Sequence, residues 1–225
     1  MLEANKPQSP QILKPNEPQS GTDSARRRLL RIGLGAAPIL MTLASRPVLG
    51  KGRSWQVVGV AGGQCVAPSS FASMPTSHPG TTYYCSGRTP GYWKQPQHFG
   101  SWVAPYYPTT VPGPGGHNAT LFNAVFSASQ SSYSDTTTLL QVLDPLVDGG
   151  VQGGGPPNDV ARHIVAALLN AAAGWTPVLT IAMVQGIWSE YMNTGGGTSG
   201  YFEPTAGVKW YHDDIVNYLL STMPL

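Results

Sequence analysis

The segment NDVARHIVAALLNAAAG, residues 158–174, most narrows what this chain of 225 residues can become. Val160, Ile164, Ala167, Leu168 and Ala171 recur at helical spacing, and Val165 and Leu169 widen the stripe past half the circumference. A helix that is apolar on so much of its surface has to be surrounded by other elements. Its many Ala residues call for neighbours that approach closely. Asn158 or Asp159 is placed to cap its start, and Gly174 stands where a helix commonly ends in a left-handed residue.

Four further helical patterns can surround it. Asn118 can cap a short helix through Ser127, with Leu121, Val125 and Ala128 on one side. Ser134 or Asp135 can cap another through Leu143, stopped before Pro145. Thr176-Pro177 is a fitting helix start, followed by an apolar face of Ile181, Val184, Ile187, Trp188 and Tyr191. Asp213 or Asp214 opens a last amphipathic helix with Ile215, Val216, Leu219, Leu220 and Met223. The β signal is small, a short prone stretch at Ser54–Gln64 that ends in glycines. The expected fold is mainly α: a compact bundle of about five short helices with a loop-rich, disulfide-pinned N-terminal cap. Residues 51–118 form the loop-rich part and residues 119–225 the helical part of the same domain. Residues 51–225 contain no transmembrane span and no internal repeat.

The cap needs a staple. Between Cys65 and Cys85 lies VAPSSFASMPTSHPGTTYY, which has no helical period and cannot make a core alone. In an oxidising compartment the two cysteines read as a disulfide. The rival reading is a metal site of Cys65, His78 and Cys85, but structural zinc takes four closely spaced ligands and no C-x-x-C knuckle is present. No metal and no cofactor are expected.

Charge separates the chain into two parts. Residues 1–50 hold seven Lys/Arg against three Asp/Glu, a balance of +4; residues 51–225 hold six against eight, a balance of −2. The part that folds is mildly acidic, so a nucleic-acid footprint is missing. The basic part contains ARRRLLRIGLGAAPILMTLASRPVLG, residues 25–50. The apolar run from Ile32 to Ala44 is 13 residues, too short to span a bilayer core of ~30 Å as a helix. Residues 1–50 read as a polar leader and a removable export signal, an ordinary secretory one or another class, or else as a basic membrane-surface segment. The run Arg26-Arg27-Arg28-Leu29-Leu30-Arg31 resembles a twin-arginine translocation signal, with Arg26, Arg27, Leu29 and Leu30 at the defining positions. That resemblance implies the twin-arginine machinery as a partner, cargo that folds before export, and a periplasmic or extracellular destination in a bacterium, with no transmembrane anchor after cleavage near Val48-Leu49-Gly50.

The densest chemistry lies in TPGYWKQPQHFGSW, residues 89–102. Pro90-Gly91 predicts a turn that projects Tyr92 and Trp93, and Pro96 keeps Lys94 and His98 on a non-helical segment. Read functionally, Tyr92, Trp93, Lys94, His98 and Trp102 form an aromatic platform with a cation beside it, suited to a sugar ring or an aromatic ligand. Read structurally, Tyr92, Trp93 and Trp102 plug the end of a small helical core. His163 and Asn170 share one side of the central helix, where a general-base or ligand pair is conceivable and a hydrogen bond from the His to a loop carbonyl is the ordinary role. His212-Asp213-Asp214 suits a helix start by dipole and capping. Glu190 and Glu203 would serve glycoside cleavage only at separations of ~5–9 Å. No G-x-S-x-G, H-E-x-x-H or phosphate-loop motif occurs.

Three features together resemble a domain of secreted and surface-associated bacterial proteins. They are Cys85 with Thr89-Pro90-Gly91-Tyr92-Trp93-Lys94, His98 and Trp102; then Leu139-Leu140-Gln141-Val142-Leu143; then Ala161–Asn170. Members commonly carry His two residues after the Lys, where Pro96 stands. The resemblance implies an exported domain and a disulfide, and it implies no particular activity or catalytic residue. The expectation is an exported envelope or extracellular protein that binds a glycan or a protein partner through the aromatic loop. The alternatives are a hydrolase of cell-envelope polymers, pairing Glu190 or Glu203 with His98 or His163, and a structural subunit of a surface assembly.

Overall fold

In a computed structural model of the chain, described for residues 63–73, 81–127 and 133–224, the core is built around helix α5, Asn158–Ala172. The leader with Arg26, Arg27, Leu29 and Leu30, the β-prone residues 54–62, and His78 lie outside the described residues. Nine residues of α5 are buried, including Val160, Ile164, Val165, Leu168, Leu169 and Asn170. Pro157, rather than Asn158 or Asp159, occupies the capping position, while the Asp159 carboxylate accepts the Gly155 N–H at 2.7 Å. At the far end Gly174 takes φ +73°, and the Trp175 N–H turns back to the Asn170 carbonyl at 2.9 Å.

Elements on several sides cover α5: α2 (Pro90–Trp93), α4 (Leu139–Leu143), α6 (Ile181–Asn193) and α7 (His212–Ser221). Thr138 caps α4 through a reciprocal box with Gln141, not Ser134 or Asp135. Helix α6 begins at Ile181, capped by the Thr180 hydroxyl on the Met183 N–H at 3.2 Å, because Thr176–Leu179 closes into a turn first. Of the face predicted, Val184, Ile187, Trp188 and Tyr191 are buried, with Met192 added, while Ile181 at the helix start is only half-buried. Helix α7 buries Ile215, Tyr218 and Leu219, and leaves Leu220 37% exposed.

Two expectations are corrected. The helix predicted from Asn118 to Ser127 is a single turn, α3, Phe122–Val125. Leu121 instead pairs with Thr138 in a β-bridge, and the Phe122 N–H bonds the Thr137 carbonyl at 2.7 Å, so the backbone before Phe122 is committed elsewhere. Phe122 and Phe126 then point inward and Leu121 is exposed. Strand is also present. Phe202–Thr205 (β3) and Val208–Trp210 (β4) form an antiparallel hairpin over Gly207 at φ +80°. Helix predominates, yet a bundle of five helices is too simple: three helices of ten residues or more are joined by one-turn pieces and two small ribbons.

The second ribbon carries the staple. Gln64–Cys65 (β1) pairs with Tyr83–Tyr84 (β2), and Cys65 is bonded to Cys85 across a separation of 20 residues. The segment between the cysteines, read as having no helical period, holds a short helix, α1, Pro68–Ser73, whose Phe71 ring packs edge-on against Trp210 and Tyr218. The Tyr218 hydroxyl donates to the Val66 carbonyl at 3.2 Å, tying the last helix to the stapled segment. Cys65 and Cys85 therefore belong to the same buried cluster as α5 and α6.

Candidate functional site

Residues 89–102 fold locally as two short helices in succession. Thr89 precedes α2 in extended conformation, and Pro90 occupies its first turn, where its missing N–H costs nothing. After Lys94 and Gln95 the chain forms a 3-10 helix, Pro96–Ser101, so Pro96 starts a helix here rather than preventing one. The turn predicted at Pro90-Gly91 is thus the first turn of α2.

One side chain on α5 sets the position of this stretch. Asn170 is fully buried. Its Oδ1 accepts the Arg88 N–H at 2.8 Å and the Trp93 indole N–H at 3.1 Å, and its Nδ2 donates to the Arg88 carbonyl at 2.9 Å. A single amide thereby satisfies both backbone groups of Arg88 and the indole of Trp93. Gly87 makes the approach possible: a Cβ there would lie 2.4 Å from the Thr222 carbonyl oxygen. The Ser86 N–H bonds the Trp175 carbonyl at 2.9 Å, which fixes the segment from the other side.

The five expected site residues come together but divide in role. Trp93 is fully buried, stacked on Trp175 with centroids 5.1 Å apart, and its carbonyl accepts the indole N–H of the buried Trp102 at 3.2 Å. Lys94 reaches Asp144, just past the end of α4, at 3.4 Å. Tyr92 is half-buried, meets Trp93 edge-on, and bonds Ser101 Oγ at 3.2 Å through its hydroxyl. His98 stacks on the Tyr92 ring at 3.7 Å and 17°. The Arg88 guanidinium lies 5.3 Å from the Tyr92 ring centroid and 6.0 Å from that of Trp175. The part that reaches solvent is Arg88, Tyr92, His98 and Trp175, with Lys94 turned toward Asp144 at its edge, seated on Trp93, Trp102 and Asn170.

Arg88, Trp175 and the clamp role of Asn170 are not legible as site features in the motif. The usable signal was a single polar residue, Asn170, inside an otherwise apolar stretch, LLNAA. A buried polar side chain must find partners, and loop backbone is the commonest one.

The other candidates are occupied locally. Glu190 Oε1 accepts the Glu203 N–H at 2.8 Å, and the Glu203 carboxylate accepts the Gly207 N–H inside the β3–β4 hairpin. The His163 Nδ1–H donates to the Asp159 carbonyl at 2.7 Å. Burial lowers the His163 pKa below its ordinary value, against the raising effect of that hydrogen bond, with His212 and Arg162 adding to the lowering. His212 donates to Asp213 at 2.7 Å, and its Nε2 lies 4.0 Å from Asp159. Among the described residues no group of three His, Cys, Asp or Glu is placed to hold a metal, and the sulfurs of Cys65 and Cys85 are bonded to each other. Among the described residues no helix is long and apolar enough to cross a membrane.

No protein family, curated protein or solved structure matches this chain.

Proposed function

We propose that this is an exported bacterial envelope or extracellular protein that acts by binding, through the surface of Arg88, Tyr92, His98 and Trp175. The observation that carries the reading is the Asn170 clamp. A fully buried amide, two buried Trp residues and a close-packed Gly87 hold one short surface segment in place. Fixing aromatic rings and a cation in advance lowers the entropy cost of binding them to a ligand. Of the two partner classes, a glycan fits better than an envelope protein, because flat rings with an adjacent donor suit the C–H faces and hydroxyls of a sugar. The closed disulfide and the arginine-led leader support export, by the twin-arginine route that the leader resembles. A domain of the kind that Cys85, Thr89–Lys94 and Ala161–Asn170 resemble would share that destination.

Two experiments test it. Tryptophan fluorescence and calorimetry of the purified chain against cell-wall glycans should give a saturable response that His98→Ala weakens at unchanged thermal unfolding; no response to any glycan refutes binding of sugars. Fractionation should place the protein outside the cytoplasm, dependent on Arg26 and Arg27. Retention of the intact chain in the cytosol with free thiols refutes export.

A further inference from the structure

Four cations lie among the described residues: Arg88, Lys94, Arg162 and Lys209. Three have partners. Lys94 faces Asp144, Arg162 faces Asp159 and donates to the Val151 and Gly153 carbonyls, and Lys209 sits 3.9 Å from the Tyr201 ring centroid. The Arg88 guanidinium has neither a carboxylate nor a hydrogen-bond acceptor among the described residues. Its Nε is enclosed without a partner, its two terminal nitrogens have no acceptor among the described residues, and the residue as a whole is half-buried. The outer edge of the fork is therefore the edge a ligand can reach.

That edge is held still. Asn170 grips the Arg88 backbone at both N–H and C=O, and the rings of Tyr92 and Trp175 lie beside the guanidinium. A guanidinium next to aromatic faces is partly stripped of water, which strengthens its attraction for an anion. Two parallel N–H donors on a planar edge match the two oxygens of a planar carboxylate. Beside them the Tyr92–His98 stack presents the kind of surface a sugar ring packs on.

Resting on the binding reading above, we propose that the ligand is an acidic glycan, and that Arg88 receives the carboxylate of a uronic-acid ring packed against Tyr92 and His98. A hydrogen-bonded pair to a charged group corresponds to a change of about tenfold or more in affinity.

The test uses the purified chain with oligogalacturonate, its methyl ester, and neutral chitohexaose, followed by calorimetry. The expected result is that the free acid binds at least tenfold more tightly than the ester, that Arg88→Gln abolishes this preference, and that Lys209→Gln leaves it in place. Equal binding of acid and ester overturns the assignment while the binding reading stands. So does binding of chitohexaose in preference to both. Failure of all three sugars overturns the assignment, and failure of the cell-wall glycans as well overturns the glycan reading with it. The comparison of acid with ester needs no variant, so the proposal is decided even where Arg88→Gln fails to fold.

Discussion

Replacing Asn170 by Ala removes three hydrogen bonds at one stroke and leaves their partners in place. The Trp93 indole N–H is then buried with no acceptor, and the Arg88 N–H and carbonyl lose the groups that faced them. A buried polar group left unpaired costs about 1–3 kcal/mol. Assigning about 2 kcal/mol to the fully buried indole and about 1 kcal/mol to each half-buried backbone group gives ~4 kcal/mol. Domains are stable by only about 5–15 kcal/mol in total, so this one amide accounts for a large share. Urea denaturation of the chain with its disulfide intact, followed by tryptophan fluorescence, measures the loss. A cycle with Trp93→Phe separates the indole from the rest, because Phe removes the donor and keeps an aromatic ring. The two changes should be non-additive by about 1 kcal/mol or more, since each removes the same bond. A loss below about 1 kcal/mol for Asn170→Ala, or additivity within the ~0.5 kcal/mol expected of independent sites, refutes the clamp.

Reducing the disulfide, or replacing both Cys65 and Cys85 by Ser, reopens a 20-residue separation and should cost ~3 kcal/mol in chain entropy, read as a lower urea midpoint. Gly87→Ala places a Cβ 2.4 Å from the Thr222 carbonyl oxygen and 2.9 Å from Thr176 Cγ2, and should destabilise by about 1–3 kcal/mol, while Gly100→Ala, where a Cβ meets nothing, should not do so by contact. His163 has a folded pKa below its ordinary 6.5, so below that pH the unfolded chain binds the extra proton and stability falls as pH drops through 6.5 toward the folded value. His163→Gln should flatten that part of the stability profile between pH 5 and 7.5; an unchanged slope assigns it to other groups.

Long, strongly periodic elements were legible because burial repeats along them. The stripe of α5 and the face of α6 are present as spacing places them, and Gly174 ends α5 in the left-handed conformation its position calls for. Capping residues were less legible, because several polar side chains compete near each start. Thr138 wins over Ser134 and Asp135 since Gln141 answers it in the capping box, and Thr180 wins over Thr176 since a turn intervenes. The short helix after Asn118 was overridden by a long-range pairing, Leu121 with Thr138, that no local pattern encodes. The β3–β4 hairpin was hidden for a similar reason: FEPTAGVKW has a Pro within it and little alternation, and its packing comes from Phe202 and Trp210 meeting at 5.9 Å.

In the site, the motif contained two alternatives that the folded chain makes compatible. A buried plug and a surface platform compete only if each aromatic must choose the same role. Here neighbouring residues on one turn of helix diverge: Trp93 points to Asn170 and the core, and Tyr92 points toward His98 and Arg88. The plug then determines where the platform sits, because moving Trp93 moves the Tyr92 backbone attached to it. Mutational loss of binding at Trp93 therefore says little about contact with ligand, whereas loss at Tyr92, His98 or Arg88 with stability intact speaks directly to it. The same logic explains why Asn170, on a different helix and with no solvent exposure, belongs in the description of the surface: its amide is the physical link between the interior packing of α5 and the position of the Arg88 fork.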